Sequence, residues 1–429
     1  MIATTMILLL VLIGLSIPVG AALGVLGLLL DPLFSMLPLS RALGELAWST
    51  SNEFLLVAIP LFILLGEVLL RAGFAERMYG AMSLWLSWLP GGLMHANIGA
   101  CTLFAATSGS SVATAATVGT VALPQIKRYG YNEPLFLGSI AAGGTLGILI
   151  PPSINLVIYG VLTNSSVPQL YLAGFIPGFL LAALFMLIVI IACVIKPAWG
   201  GQRIHATWGQ RFASLRHLLP PFGIFLMVVG SIYAGFATPT EAAALGVFGA
   251  LILAAVFGRL SLAMLREAIE GTMRSTAMIM IIVVAAGFLN FVMSATGITT
   301  VLMDSVSGLG LSAGWMLFAV VIFYVILGCF METLSMMIVT IPIVAPIMFG
   351  LGFDPVWFGI VIVVLVETAL ITPPVGMNLF VVQSLRKSGS MNAVIIGSQP
   401  FVLALFVMLA LLAFFPELAL WLPHVFGGY

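Results

Sequence analysis

Apolar runs of about 20 residues, enough for a membrane-crossing helix, recur along the chain and are parted by short polar segments. A β-barrel would instead alternate apolar and polar positions over shorter segments. The pattern predicts nine full helical spans, near 6–30, 54–70, 134–162, 169–195, 218–236, 240–257, 276–296, 357–382 and 393–420. Two further apolar stretches, about 90–127 and 312–349, are interrupted midway by small and polar residues: "TSGSSVATAAT" (Thr107 to Thr117) and "METLSMM" (Met331 to Met337). Two of the spans are interrupted differently, by paired prolines. Pro151 and Pro152 stand in "LGILIPPSINLVIYG", and Pro373 and Pro374 in "VETALITPPVGMNLFVV".

The two breaks are one feature used twice. Pro373 follows Pro151 by 222 residues (373 − 151), and this shift pairs Pro124 with Pro346, Gly130 with Gly352, Phe136 with Phe358 and Ile140 with Ile362 without a gap. It also sets Tyr131 against Phe353 and Asn132 against Asp354. Upstream, a shift of 224 (297 − 73) pairs Leu65 with Leu289, Val68 with Val292 and Gly73 with Gly297. Prolines and glycines recurring in register, not leucines alone, mark an internal repeat over Glu53–Leu162 and Ser275–Leu385. Each copy reads as a span, a short connector (Arg71–Leu89, Gly297–Gly310), an interrupted stretch, a polar turn and a proline-broken span.

Basic residues favour cytoplasmic loops. In the first copy Arg71 and Arg77 lie in the connector, and Lys127 and Arg128 follow the interrupted stretch. In the second copy these places carry Asp304 and Asp354 but no base, while Arg386 and Lys387 follow the broken span. The copies therefore read as inserted upside down relative to each other. If the interrupted stretches are re-entrant helical hairpins, the first opening from the cytoplasm and the second from outside, all 14 Lys and Arg residues except Arg41 are cytoplasmic. The N-terminus is then inside and the C-terminus outside. The connectors and the segment Arg259–Arg274 read as helices lying flat on the membrane.

Composition agrees: 62% of the 429 residues are hydrophobic and 7% charged, against about a quarter charged in soluble domains. The run Met6–Leu30 is too long for a signal-peptide core and has no basic residue before it, so it reads as a retained span. Cys101, Cys193 and Cys329 lie far apart in apolar stretches and read as buried apolar residues, not as a disulfide or metal set.

A proline pair in mid-membrane costs about 3 kcal/mol per interior proline and frees carbonyls that hydrocarbon cannot satisfy. A cation satisfies carbonyls, and the N-terminus of a half-helix holds an anion. Inverted repeats with discontinuous helices at the midplane are the pattern of secondary transporters. The interrupted stretches add hydroxyls at Ser108, Ser110, Ser111 and Thr114, and Glu332, Thr333 and Ser335; Asn155 and Asn378 follow the proline pairs. The expectation is one Na⁺ site per copy. Ser108, Ser110 and Ser111 would combine with Gly147 and Asn155, and Glu332, Thr333 and Ser335 with Thr368, Thr372 and Gly376. Substrate would meet Ser108, Gly109, Ser110, Ser111, Thr114, Pro151, Pro152, Asn155, Thr333, Ser335, Pro374 and Asn378. For any single Ser or Thr the plainer role is a bond back to its own helix. Glu67, Glu332 and Glu367 lie at membrane depth, where an acid is functional by default. Glu332 is the best candidate for ion coupling; Glu67 equally suits a helix–helix contact. His95 reads as structural. No Lys or Arg lies in the predicted core, so an anionic substrate would be held by dipoles, hydroxyls and bound cations.

The motifs "GSSVATAATVGTVALPQIKRYGY", "GGTLGILIPPSINLVIYG" and "ETALITPPVGMNLFVV" resemble the large membrane subunit of tripartite ATP-independent periplasmic (TRAP) transporters, along essentially the whole chain. The resemblance implies an inverted-repeat elevator carrier of the ion-transporter superfamily in a bacterial inner membrane. It implies import of an organic acid (a C4-dicarboxylate, keto acid, sugar acid or sialic acid), driven by more than one Na⁺ and needing no organic cofactor. The implied partners are a small four-helix membrane subunit, expected as a separate chain, and a periplasmic substrate-binding protein. The hairpins and broken spans would move against the scaffold. Residues 1–89, 163–311 and 386–429 would hold scaffold helices and the two connectors; residues 90–162 and 312–385 would be the halves of the transport domain. A stand-alone Na⁺–dicarboxylate symporter and a non-transporting membrane scaffold are the alternatives. No HExxH or GxSxG motif suggests an intramembrane enzyme.

Overall fold

The computed structural model describes residues 1–426 except 16, 203, 205, 299, 302–307, 309–311, 329 and 387. Cys329, Asp304, Lys387 and most of the second connector lie outside the described residues. The described chain is helical. Its helices are α1 (Ile2–Gly14), α2 (Val19–Phe34), α3 (Leu43–Ser51), α4 (Ala58–Arg71), α5 (Phe74–Leu86), α6 (Leu93–Ser108), α7 (Ser111–Tyr129), α8 (Glu133–Thr145), α9 (Ile154–Thr163) and α10 (Val167–Ile195). After them come α11 (Trp208–Ser214), α12 (Leu219–Tyr233), α13 (Pro239–Val256), α14 (Leu262–Ala295), α15 (Ala313–Gly328), α16 (Thr333–Gly350), α17 (Pro355–Ile371), α18 (Met377–Ser384), α19 (Met391–Phe414) and α20 (Glu417–Phe426).

Six helices among the described residues are long and apolar enough to cross a membrane, or seven if the bent pair Trp208–His217 and Leu219–Tyr233 is one span. The expected spans 54–70, 169–195, 218–236, 240–257, 276–296 and 393–420 are matched by members of this set. The other expected spans, 6–30, 134–162 and 357–382, are each two helices. Thr333–Gly350 completes the set, and it is the second arm of an expected hairpin.

Three expectations change for identifiable reasons. The run 6–30 is not one helix: it ends at Gly14 and restarts at Val19, after Pro18, which lacks the N–H that would continue the ladder. Likewise Pro416 separates α19 from α20 inside the expected span 393–420. Conversely, the basic segment Arg259–Arg274 is no separate flat helix. No proline interrupts it, Ser261 caps it, and an Arg266–Glu270 pair one turn apart supports it. It runs on into the apolar part as one 34-residue helix. At 1.5 Å per residue that is roughly 50 Å, so its basic end projects well beyond a hydrocarbon core of about 30 Å.

The repeat is visible in backbone detail. Asn132 and Asp354 each cap the helix that follows, accepting from Leu135 N and Trp357 N. Gly130 and Gly352 both have positive φ, 69° and 90°, and so do Gly73 and Gly297, 75° and 74°. Both proline pairs are joined by cis peptide bonds.

Two contacts show that the broken spans run antiparallel. Arg386, at the end of α18, forms an ion pair with Glu133 at the start of α8 (2.5 Å). At the other end, the Tyr159 hydroxyl in α9 donates to the Pro355 carbonyl that starts α17 (2.6 Å). The basic segments also gather together. Trp85 donates to Arg211 O, Ser87 to the Ile204 carbonyl, Asn132 N to Trp199 O and Gln202 N to Tyr129 O. Tyr159→Phe deletes only the hydroxyl of the second contact. It is expected to cost about 1 kcal/mol, read as a lower melting temperature of the purified protein, and an unchanged melting curve would contradict the contact.

The helices fall into two packed blocks. In one, α2, α3 and α4 lie on α14, with α13 on α4 and α12 on α13. In the other, α6–α10 and α15–α19 pack together, and α8 and α19 approach most closely. The blocks meet where α4 and α12 touch α6 and where α14 touches α16.

Candidate functional site

The first interrupted stretch is a helical hairpin whose tip rests on the first break. α6 ends at Ser108, Gly109 turns in the left-handed region (φ 60°), and Ser110 caps α7 by accepting from Ala113 N. A Cβ on Gly109 would sit 2.9 Å from the Pro152 carbonyl oxygen, and one on Gly147 would sit 2.7 Å from the Ser110 carbonyl oxygen. Both positions therefore need glycine for the backbones to touch. The structure thus joins Ser108–Ser111 to Gly147–Pro152, as the repeat suggested. On the far side, Gly66 of α4 lies under Ser108: a Cβ there would sit 3.1 Å from the Ser108 carbonyl oxygen.

The tip hydroxyls are already engaged. The Thr114 hydroxyl donates to Ser110 O (2.7 Å), so Ser108 is the donor in the 3.0 Å Ser108–Thr114 contact. At the break itself Ser153 does two jobs that the sequence pattern did not assign. Its hydroxyl donates to Ile148 O (2.5 Å) and accepts from Leu156 N at the start of α9. One carbonyl at the break is thereby satisfied, and Pro151, Pro152, Ser153 and Asn155 are buried.

The second break is different. α17 ends at Ile371 and α18 begins at Met377 behind Gly376, which offers no side-chain cap. Pro374 is exposed. Thr368 and Thr372 bond back to Val364 O and Thr368 O, the plain role for threonine in a helix. The second tip also satisfies itself locally: Glu332 accepts from the Thr333 hydroxyl (2.9 Å), from Ser335 N (3.1 Å) and from the Ser335 hydroxyl (3.3 Å). Glu332 is thus the N-cap of α16. Thr333, Ala369 and Gly376 line one small void, so the second tip and the second break are neighbours.

The two asparagines cross over. Asn155, expected with the first tip, donates to Met337 Sδ in the second hairpin (3.4 Å). Asn378, expected with the second tip, donates to Ser111 Oγ (2.8 Å) and to Ala141 O (3.0 Å). The packing says the same: α9 lies against α16 and α18 against α7. The half-helix after each break is seated on the hairpin of the opposite repeat. Sequence spacing missed this because it compares positions within one copy, and Asn378 stands one place off the register of Asn155.

The remaining acids separate by position. Glu67 pairs with Arg71 (2.9 Å) at the end of α4, beside Gly271 of α14, which is the helix-contact reading. Glu367 is fully buried in α17, and neither of its oxygens has a hydrogen-bond partner among the described residues. His95 Nε2 lies 2.8 Å from Pro90 O and is structural. Cys101 and Cys193 are free and buried.

Among the described residues no three His, Cys, Asp or Glu side chains converge, which leaves no site of transition-metal type. The tips and breaks offer hydroxyl, amide and backbone oxygen instead. Asn378 Oδ1 is buried with no hydrogen-bond partner among the described residues. A buried oxygen of that kind calls for a donor or a cation, and it sits beside Ser111.

Compared with known proteins, residues 6–418 match the family model "Tripartite ATP-independent periplasmic transporter, DctM component". The chain belongs to the DctM family of TRAP transporters. It is 37% identical over 390 residues to the C4-dicarboxylate TRAP transporter large permease protein DctM of Pseudomonas aeruginosa, covering 90% of each chain. It is 32% identical over 422 residues to the isethionate TRAP transporter permease protein DctMQ of Oleidesulfovibrio alaskensis, covering 96% of this chain and 64% of that one. Among solved structures it resembles the YdaH transporter of Alcanivorax borkumensis, with a TM-score of 0.59, 17% identity, and coverage of 95% and 97%. That likeness concerns the fold. The permease is therefore a multi-pass membrane protein of a bacterial TRAP system, a transporter component for organic solutes and not an enzyme.

Proposed function

We propose that this TRAP permease imports an organic anion on a Na⁺ gradient by an elevator movement. The observation that carries the reading is the crossed pair of broken spans. Two antiparallel helices stop inside the protein, and each resumes against the opposite hairpin. Ends of this kind present carbonyls to cations and N–H groups to anions at the midplane. The buried Asn378 oxygen, the Ser108–Ser111 tip and the carbonyls around Gly147 form the first cation site. Thr333, the Thr372 carbonyl and Gly376 form the second. Glu332, committed to capping α16, serves this second site through its fixed geometry. Substrate is taken from the class to which the P. aeruginosa relative's C4-dicarboxylates belong, with sugar acids and sialic acid as the wider range, and binds between the tips near the exposed second break.

The moving unit holds both re-entrant hairpins and both broken spans. Because α19 packs so closely on α8, and α10 packs on α6 and α17, we assign α10 and α19 to this unit, against the sequence expectation that set them in the scaffold. The scaffold is then α1–α4 and α12–α14. The basic face is cytoplasmic, the N-terminus is inside and the C-terminus periplasmic. A small membrane subunit, of the kind named in the DctMQ of O. alaskensis, steadies the scaffold. A periplasmic binding protein delivers substrate.

The test is uptake into proteoliposomes holding the permease and its small subunit, with the binding protein and substrate outside. Uptake is expected to need an inward Na⁺ gradient and both partners. Full uptake with choline in place of Na⁺ would defeat the coupling. Uptake by the permease alone would turn the reading to a stand-alone symporter.

A further inference from the structure

Between the two blocks lies an apolar crevice of about 350 Å³. One wall is formed by Leu26 of α2 with Leu289 and Met293 of α14; the other by Val320 and Leu327 of α15 with Ile343 of α16. Met6 and Phe323, both exposed, also line it and mark where it opens outward.

Two hydroxyls border the crevice, and neither is spare. Thr5 donates to Met1 O (3.1 Å). Thr340 donates to Met336 O (2.7 Å), so the 2.5 Å contact with Tyr324 has the tyrosine as donor. The walls therefore leave no polar group to hold water, and apolar cavities stay dry. An empty space of this size would deprive every surrounding side chain of contacts. Beside α16, which is long and apolar enough to cross a membrane, the material at hand to fill it is lipid hydrocarbon.

We propose that the crevice binds one acyl chain of a bilayer phospholipid, wedged between α14 and the second hairpin. Its volume is at the slender end of ligand pockets, which span about 300–1,000 Å³. The methionines along it, Met6, Met293, Met316 and Met331, adapt to a flexible chain. The proposal stands on the lining alone and does not depend on Na⁺ coupling or on the solute carried.

The full chain would be placed in nanodiscs that contain phosphatidylethanolamine with a photoactivatable diazirine in its acyl chain. After illumination, adducts would be mapped by mass spectrometry. Adducts are expected on the walls, in peptides holding Met293, Val320 and Ile343, beyond those on the outward-facing Phe248 of α13. Filling the crevice with Val320→Trp or, separately, Ile343→Phe should abolish the wall adducts and leave those at Phe248. Each variant is judged only if it elutes like the parent, and the unmodified protein decides the matter alone if neither does. Adducts confined to outward residues such as Phe248 would overturn the proposal. So would wall adducts indifferent to a folded filling variant, or wall capture of a photoactivatable free fatty acid with none of the phospholipid.

Discussion

Gly397→Ala is expected to leave no correctly folded permease. A Cβ at Gly397 would collide with the Pro134 carbonyl oxygen, and one at Gly138 with the Gly397 carbonyl oxygen. Both obstacles are backbone, so no rotamer change relieves them, and the whole α8–α19 pair would have to spread. Small residues let membrane helices approach this closely, where packing rather than water drives association. The overlap should cost about 3 kcal/mol or more, the upper end for overpacking. Fluorescence-detected size-exclusion of detergent extracts should lose the monodisperse peak for Gly397→Ala and for Gly138→Ala. Gly223→Ala in α12, with nothing within 4 Å of its Cβ, is the control and should elute unchanged. A normal peak and melting temperature for Gly397→Ala would mean that α8 and α19 are not this close.

The second large effect concerns Asn378. Its amide donates across the repeat boundary to Ser111 and to Ala141, both buried. Asn378→Ala removes both donations and leaves the Ser111 hydroxyl without this partner in an apolar interior, at about 1–3 kcal/mol. That corresponds to roughly a 5- to 150-fold loss of the assembled site. Uptake should fall by a factor in that range, while the close backbone contact of α8 and α19 at Gly138 and Gly397, in which Asn378 takes no part, holds the size-exclusion profile. Asn378→Asp keeps an oxygen in place of Oδ1 but loses the donor, so it should also fail to restore uptake. Parental uptake by a folded Asn378→Ala protein would remove the crossed contact from the mechanism.

Much of this architecture was legible in the residues because it depends on breakers and caps. The proline pairs located both interruptions. Asn132 and Asp354, paired by the repeat, turned out to be caps in the same role. The opposite charge patterns of the copies foretold antiparallel broken spans, which Glu133–Arg386 and Tyr159–Pro355 display. Other features were not legible, for physical reasons. A basic segment and an apolar segment with no breaker between them form one helix, so charge alone misplaced a boundary near Arg274. Hydroxyls at the first tip and the second break advertised binding groups, yet Thr114, Thr368 and Thr372 bond to carbonyls of their own segments, because a threonine's nearest carbonyl is one turn away. Glu332, singled out as an ion ligand by its depth, has a second role that depth does not reveal: it caps α16. The cross-repeat asparagine contacts depend on three-dimensional docking of two distant segments, and periodicity carries no trace of that.

The exchange of half-helices also bears on how the molecule comes into being. Asn155 finds its partner 182 residues later in the chain, and Ser111 waits 267 residues for Asn378. A nascent first half leaving the ribosome thus holds a vacant seat that only the second half fills. Two separately expressed fragments divided between α13 and α14 would each be incomplete, and the carrier would arise only when they clasp inside the bilayer.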